Sequence, residues 1–231
     1  MKYIFLSPHF DDAIGSCGGF ISRLKNLNNE VLIVTCFAQP ISGPFSNFAN
    51  ELHNMWNLTK PVEERTVENN NACRCLQVNC RNLPFIEAIY RISNDRFLYP
   101  LADDIFKDIA DEDYKLIDKI AKELIKIFSK EDVIYSPVAI GNHVDHLLVN
   151  AAAKKLKSLG YNIKFYRDFS YYGYVTTLSE YRSYNVVLTE EEIDKKIKAV
   201  KMYKSQLNML FKGKIYEYYK NELEGKEEYY E

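Results

Sequence analysis

The hydrophobic residues of this chain fall into short continuous runs that alternate with longer amphipathic stretches. Tyr3-Ile4-Phe5-Leu6 and Val31-Leu32-Ile33-Val34 are apolar runs typical of strands covered on both faces. Between them, residues 13–27 place apolar side chains at helical spacing. A strand, helix, strand unit at the start of the chain predicts an α/β protein with a mostly parallel sheet.

The alternation continues along the chain. We predict further strands near Asn82–Phe85, Val133–Ser136, Asn162–Arg167 and Tyr184–Leu188, and helices at Pro61–Leu76, Asp113–Lys130, after His146, and over Thr189–Met209. Residues 39–60 are turn-rich and aromatic, which predicts a long loop or a short helix. Residues 87–113 have little periodicity and several charges, and we interpret them as an excursion over one rim of the protein. The tyrosine-rich tail from Gly213 onward is polar and is predicted to be weakly determined. Because no repeat or composition shift marks a boundary, we expect residues 1–231 to form one domain.

Composition narrows the class of protein. The 231 residues hold 30 Lys and Arg against 32 Asp and Glu, without the basic excess that a nucleic-acid-binding protein shows. No apolar run is long enough for a transmembrane segment. The apolar residues before Ser7-Pro8 are too few to form the hydrophobic region of a signal peptide. The cysteine count of five is odd and contains no paired C-x-x-C motif, which favours reduced thiols. We expect a cytoplasmic protein with a small-molecule partner, and a homo-oligomer is compatible with the sequence.

Two clusters of histidine and aspartate stand where predicted strands end. His9, Asp11 and Asp12 follow the first strand, whereas His143-Val144-Asp145-His146 follows the strand at residues 133–136. In open α/β sheets, functional groups gather outside the carboxyl ends of the strands. We therefore predict that the two clusters meet in one site.

The residue types indicate metal-assisted chemistry. Two imidazoles and one carboxylate suit a catalytic Zn²⁺ with an open position for water, and the same set accepts Fe²⁺. His9 and Asp12 lie three residues apart at a strand-to-helix turn and can reach one metal, which His146 can complete. Asp11 is then left as a general base, and His143 can stabilise an oxyanion or carry a proton.

These motifs resemble a known family. Ser7-Pro8-His9-Phe10-Asp11-Asp12 together with Gly141-Asn142-His143-Val144-Asp145-His146 is similar to the paired P-H-x-D-D and H-x-D-H signatures of the PIG-L/LmbE-like zinc-dependent N-acetylglucosaminyl deacetylases. Segments around Arg65, Asp168 and residues 198–207 also resemble the family, so that the likeness covers most of the chain. It implies a Rossmann-like three-layer sandwich.

The resemblance also implies a role for each motif position. It implies Zn²⁺, or Fe²⁺ or another divalent metal, and removal of an N-acetyl group from an N-acetylglucosamine-type sugar or its conjugate. The implied roles are metal ligands for His9, Asp12 and His146, general base for Asp11, electrophilic helper for His143, orientation of His143 for Asp145, and substrate contact for Arg65 and Asp168.

The chain departs from the family pattern at two positions. Ala13 stands where the family often has an acidic residue after D-D, which could alter the charge of the site. Gln77 stands where the family often has glycine, which affects only a turn. Neither departure removes a predicted ligand.

Other functions stay open at this point. The same residues could serve an amidase acting on a different or non-sugar amide, or a sugar- or metal-binding protein without activity. Dinucleotide binding is disfavoured, because Gly15-Ser16-Cys17-Gly18-Gly19 is not a G-x-G-x-x-G motif and lies inside the first helix, where the glycines suit close helix packing. Aromatic side chains that could contact a sugar are Phe45, Trp56, Tyr90, Tyr171 and Tyr172.

Overall fold

The computed structural model describes residues 1–169, 178 and 180–231. The strands are β1 (Lys2–Ser7), β2 (Glu30–Thr35), β3 (Asn79–Asn82), β4 (Ile92–Ser93), β5 (Arg96–Phe97), β6 (Val133–Pro137), β7 (Asn162–Tyr166), β8 (Ser183–Val187) and β9 (Lys226–Tyr230). The α-helices are α1 (Asp12–Asn26), α2 (Asn47–Trp56), α3 (Pro61–Cys75), α4 (Tyr114–Ile125), α5 (Val144–Ser158), α6 (Glu190–Val200), α7 (Leu207–Phe211) and α8 (Ile215–Glu217). Short 3₁₀ turns lie at Ala88–Tyr90, Asp104–Phe106 and Asp111–Asp113.

One sheet organises the described residues, with the strand order β3-β2-β1-β6-β7-β9-β8. The strands β3, β2, β1, β6 and β7 run parallel to one another. Strand β9 runs antiparallel to both β7 and β8. The chain builds outward from β1 through β2 to β3, and then returns to the other side of β1 to form β6. The strand order therefore reverses between β1 and β6, which is the position where open α/β sheets bind ligands.

Helices cover both faces of this sheet. Phe5 of β1 faces a core that includes Ile14 of α1 and Ile197 of α6. Its neighbours Ile4 and Leu6 face the other core, which α4 and α5 cover. Alternate residues of a strand point to opposite faces, so that a continuous apolar run is what a doubly covered strand requires. The predicted three-layer α/β class is confirmed.

Three boundaries differ from the predictions by several residues. The helix expected over Asp113–Lys130 lies at Tyr114–Ile125 and so ends early. The strand expected near Asn82–Phe85 lies at Asn79–Asn82, because the apolar residues that suggested it bury their side chains just beyond the strand end. The helix expected over Thr189–Met209 begins as predicted, with a capping box at Thr189, but ends at Val200. Beyond it, the Tyr203 hydroxyl donates to the carbonyl of Phe10, which ties this turn to the β1–α1 loop.

The tail was wrongly predicted to be weakly determined, since it contributes β9 to the sheet. Glu227 of β9 is buried and accepts hydrogen bonds from Lys196 and from the backbone N–H groups of Gly19 and Phe20. Lys196 also donates to the carbonyl of Ser16. The segment is polar in sequence, yet its carboxylate can be buried because a buried ammonium group and N–H groups of α1 are hydrogen-bonded to it.

Helix α1 approaches its neighbours through small residues. A Cβ atom on Gly15 would lie 2.4 Å from the ring of Phe169, and one on Gly19 would lie 2.3 Å from Leu188. The predicted close packing of the glycines is confirmed, although Phe169 and Leu188 lie just beyond the ends of β7 and β8 rather than within the sheet. Gln77, where the family often has glycine, adopts a φ of +57°, in the left-handed region that favours glycine.

Among the described residues, no helix is both long and apolar enough to cross a membrane.

Candidate active site

Both histidine clusters lie at the reversal of the strand order. His9, Asp11 and Asp12 lie between β1 and the first turn of α1, while His143 and His146 lie at the start of α5, just after β6. Because β1 and β6 are paired neighbours, their carboxyl ends place the two loops side by side. The predicted meeting of the two clusters is what the structure shows.

Three side chains form a compact set of donor atoms. His9 Nδ1 lies 3.4 Å and His146 Nε2 lies 3.3 Å from Oδ2 of Asp12. One donor atom from each of these three buried residues lies within 4.8 Å of the others, which is close enough to hold a single metal ion. His9, His143 and Asp145 meet the same distance criterion. The carboxylate of Asp145, however, is already engaged elsewhere.

Each of the two imidazoles is backed by a buried carboxylate. His9 Nε2 lies 2.9 Å from Oδ2 of Asp145, and His146 Nδ1 is hydrogen-bonded to Oδ1 of Asp168. These bonds occupy the ring nitrogens that face away from Asp12. Metal-binding histidines characteristically donate their second ring N–H to a carboxylate, which fixes the ring and its tautomer. The donor set and its supporting carboxylates therefore fit a divalent metal at His9, Asp12 and His146.

The charges of this cluster are strongly coupled. Burial opposes ionisation of Asp12, but the neighbouring His146 and His9 hold the pKa of its carboxyl well below the usual range. Burial would lower the pKa of His146, yet Asp12 and Asp168 raise it to about 9. The cluster thus holds positive charge between carboxylates, a place that a metal cation can take once the imidazoles lose their protons.

Asp11 stands beside this donor set without belonging to it. Burial and the charge of Asp12 raise the pKa of Asp11 to about 6, although Arg65 acts in the opposite direction. An Arg65 Nη2 atom lies 3.9 Å from Oδ1 of Asp11. A carboxylate with a pKa close to neutrality, next to a metal site, has the properties of a general base.

His143 is held in one tautomer by the backbone. Its Nδ1 accepts a hydrogen bond from the N–H of Asp145 at 3.1 Å, so that a neutral ring carries its proton on Nε2. Burial and the nearby charge of His9 lower the pKa of His143 well below its usual value. The ring of Phe106 covers it edge-on, with the ring centroids 5.6 Å apart. The arrangement gives a neutral N–H donor rather than an imidazolium.

Arg65 is positioned by aromatic rings and a carboxylate. Its guanidinium carbon lies 4.8 Å from the ring centroid of Trp56 and 5.3 Å from that of Phe10. Its Nη1 lies 3.1 Å from Glu87, which sequence reasoning did not identify. These contacts fix a buried cation beside Asp11.

A second buried arginine was also missed. Arg91 pairs with Asp145 and, at 3.1 Å, with Asp113, which accepts a hydrogen bond from the Tyr99 hydroxyl. Asp145 additionally accepts from the N–H of Ala88. The segment 87–113, predicted only as an excursion over one rim, therefore supports the carboxylate behind His9. Charged residues without periodicity gave no signal for this role.

Two predicted roles change with these contacts. Asp145 contacts His143 through its backbone N–H, whereas its carboxylate faces His9 and Arg91. Asp168, predicted to contact substrate, is only 1% exposed and is occupied by His146 and by the N–H groups of Ala139 and Ile140. Its position follows from the end of β7, behind His146 rather than in front of it.

The site opens into a cavity of about 340 Å³. It is lined by the three predicted metal ligands and also by Asp11, His143 and Arg65. Of the aromatic candidates, Trp56 lines this cavity, while Phe45 and Tyr90 pack around His53. Tyr171 and Tyr172 lie outside the described residues.

Comparison with known proteins agrees with the motifs. The family described as PIG-L, GlcNAc-PI de-N-acetylase, matches residues 4–157. The chain belongs to the PIG-L family. A curated relative, the 2'-N-acetylparomamine deacetylase of Niallia circulans, is 30% identical over an alignment of 187 residues, and the match covers 74% of this chain and 67% of the relative.

Several solved structures that resemble this PIG-L family chain are those of deacetylases. The deacetylase–bog complex from the biosynthesis pathway of teicoplanin has a TM-score of 0.87 at 25% identity. The zinc-inhibited form of a teicoplanin deacetylase has a TM-score of 0.86, also at 25% identity. Each comparison covers 100% of this chain and 97% of the other.

Proposed function

We propose that this chain is a metal-dependent N-deacetylase that removes the acetyl group from an N-acetylglucosamine-type sugar or its conjugate. The observation that carries the proposal is that Asp11 and His143 line the same cavity as His9, Asp12 and His146. A base, a neutral N–H donor and a set of metal ligands thus face one volume. Family membership and deacetylase relatives support the same reaction.

His9, Asp12 and His146 would hold the metal, and we propose Zn²⁺ on the strength of the two-imidazole, one-carboxylate set. When bound, such an ion makes water more acidic and polarises the acetyl carbonyl. Asp145 and Asp168 keep the two imidazoles oriented, with their other ring nitrogens toward Asp12. This division leaves Asp11 without a ligand role.

The proton moves through Asp11. At neutral pH its carboxyl, with a pKa of about 6, is mostly ionised and accepts a proton from the attacking water. His143 donates its Nε2–H to the carbonyl oxygen as negative charge develops there. The protonated Asp11 then returns its proton to the amine as the carbon–nitrogen bond breaks. The products are acetate and a free amino sugar.

Asp11→Asn tests the assignment. The change keeps the shape of the side chain but removes the base, so that we expect metal binding to persist while the rate of acetate release falls by about 10²- to 10⁴-fold. The assay follows acetate and amine release from N-acetylglucosamine conjugates, with and without a chelator. Asp118→Asn is a matched control, because the side chain of Asp118 is 60% exposed on α4.

Three outcomes would contradict this proposal. Full turnover by the Asp11→Asn protein would exclude Asp11 as the base. Turnover by the wild-type protein that survives complete metal removal would exclude the metal-dependent reaction. Absence of acetate release from every conjugate, with metal bound, would favour a sugar- or metal-binding protein instead.

A further inference from the structure

Part of the cavity wall is apolar and is not required by the reaction. Phe48 and Leu52 of α2, Phe106 of a 3₁₀ turn, and Met209 and Leu210 of α7 contribute to it. Phe106 and Met209 are 43% and 40% exposed, so that the apolar surface continues to the mouth of the cavity. The proposed deacetylation assigns no catalytic role to this surface.

The charged groups of the cavity are already committed. Its lining carboxylates, among the described residues, are Asp11, Asp12 and Glu87. Asp12 lies 3.3 Å from His146, and Glu87 lies 3.1 Å from Arg65, while Asp11 is assigned as the base. The described lining offers no further carboxylate for additional ammonium groups on a substrate.

The geometry points to a substrate whose sugar carries an apolar aglycone, aromatic or aliphatic, that lies against the α2 and α7 side chains. This inference rests on the proposed deacetylation and names the class of group attached to the sugar. The N-acetyl group occupies the polar end of the cavity, beside Asp11 and His143. The aglycone lies against Leu52 and Leu210 and leaves toward the mouth beside Phe106. The described part of that wall offers no matching charge to a polycationic aminoglycoside.

The wild-type protein, loaded with Zn²⁺, allows a direct comparison of aglycones. We would measure kcat/KM for acetate release from free N-acetylglucosamine, its octyl β-glycoside and a mono-N-acetylated aminoglycoside. Burying even part of an octyl chain gives an expected gain of at least about tenfold in kcat/KM over the free sugar, since each buried methylene contributes several-fold. We expect the aminoglycoside to fall below the octyl glycoside.

Two variants place the effect on the wall. Leu210→Asn and Leu52→Asn put a polar amide on the apolar surface, from two different helices. For each, the ratio of kcat/KM for the octyl glycoside to that for the free sugar should fall by about tenfold. Leu159→Asn, at a position 49% exposed beyond the end of α5, should leave the ratio as in the wild type.

The outcomes separate this inference from the proposed function. Equal kcat/KM for all three substrates, or a preference for the aminoglycoside, overturns the apolar subsite while deacetylation stands. An octyl preference that both wall variants retain overturns its location at α2 and α7. No acetate release from any of the three substrates, with Zn²⁺ bound, is a failure of the proposed function itself. The comparison of wild-type substrates holds even if a wall variant does not fold.

Discussion

Asp168→Asn distinguishes a residue that supports the metal site from one that contacts substrate. Oδ2 of Asp168 accepts hydrogen bonds from the backbone N–H groups of Ala139 and Ile140, with N···O distances of 2.9 and 3.1 Å. Its Oδ1 is hydrogen-bonded to Nδ1 of His146. Asparagine has one oxygen, and the two backbone N–H groups require it. Its NH₂ group then faces Nδ1, so that the ring proton of His146 is driven to Nε2, the nitrogen that faces Asp12.

The expected cost falls on metal affinity. A proton on Nε2 blocks the proposed ligand atom, and binding requires that His146 return to the other tautomer against an unfavourable contact. Loss of a supporting carboxylate of this kind lowers metal affinity by about 10- to 100-fold, which corresponds to about 1.4 to 2.7 kcal/mol of binding free energy. Once metal is saturating, KM for the sugar should stay near the wild-type value.

Competition with a chromophoric chelator measures the Zn²⁺ dissociation constant, and steady-state kinetics at saturating Zn²⁺ measures KM. Asp118→Asn again provides a surface control for the same chemical change, since the exposed Asp118 carboxylate pairs with the exposed ammonium group of Lys155. An unchanged dissociation constant together with a raised KM would refute the supporting role. That result would restore Asp168 as a substrate contact.

Two further predictions concern stability. Glu192 pairs with Arg23, and although burial acts in the opposite direction, this pairing lowers the pKa of Glu192. The stability that the pair contributes is therefore present above the unfolded-state pKa of about 4.3, and it is lost as the pH falls through the lower folded-state pKa. Urea unfolding should therefore show Glu192→Gln to be less stable than the wild type at pH 7 but equal to it near pH 2, and a pH-independent difference would contradict the ion-pair origin. Gly15→Ala would place a Cβ atom 2.4 Å from the Phe169 ring, and the overpacking should cost about 1 to 3 kcal/mol in the same assay, despite the higher helix propensity of alanine. A more stable Gly15→Ala protein would show that the ring moves aside freely.

The sequence was informative wherever one local pattern determined both the element and the chemistry. The runs at β1 and β2 and the helical spacing of α1 placed His9 and Asp12 at a strand end without knowledge of the third dimension. The second cluster followed from the same logic at β6. Parallel strands align their carboxyl ends, so that the meeting of the clusters required only that β1 and β6 be neighbours.

Residues whose roles depend on distant partners could not be predicted in this way. Arg91 and Glu87 lie in a segment without periodicity, and their function is set by Asp145 and Arg65, which lie tens of residues away in the chain. In the sequence, Glu227 likewise belongs to a polar tail, and only the fold brings Lys196 and the backbone of α1 to it. Burial of a charge is a property of the assembled fold, and a local hydrophobicity pattern reads such a residue as surface.

The H-x-D-H spacing itself has a physical explanation in the start of α5. His143 occupies the N-cap position, and its Nδ1 accepts the N–H of Asp145, one of the backbone donors that the first turn of a helix leaves without an internal partner. The same bond fixes the imidazole proton on Nε2. One residue later, His146 turns toward Asp12, while the Asp145 carboxylate reaches back to His9. A serine at the N-cap could satisfy the helix equally well, but it would supply no N–H donor to the cavity. We therefore expect His143→Ser to preserve the helix start and to lose the proposed stabilisation of the developing oxyanion, so that acetate release falls while the folded structure persists.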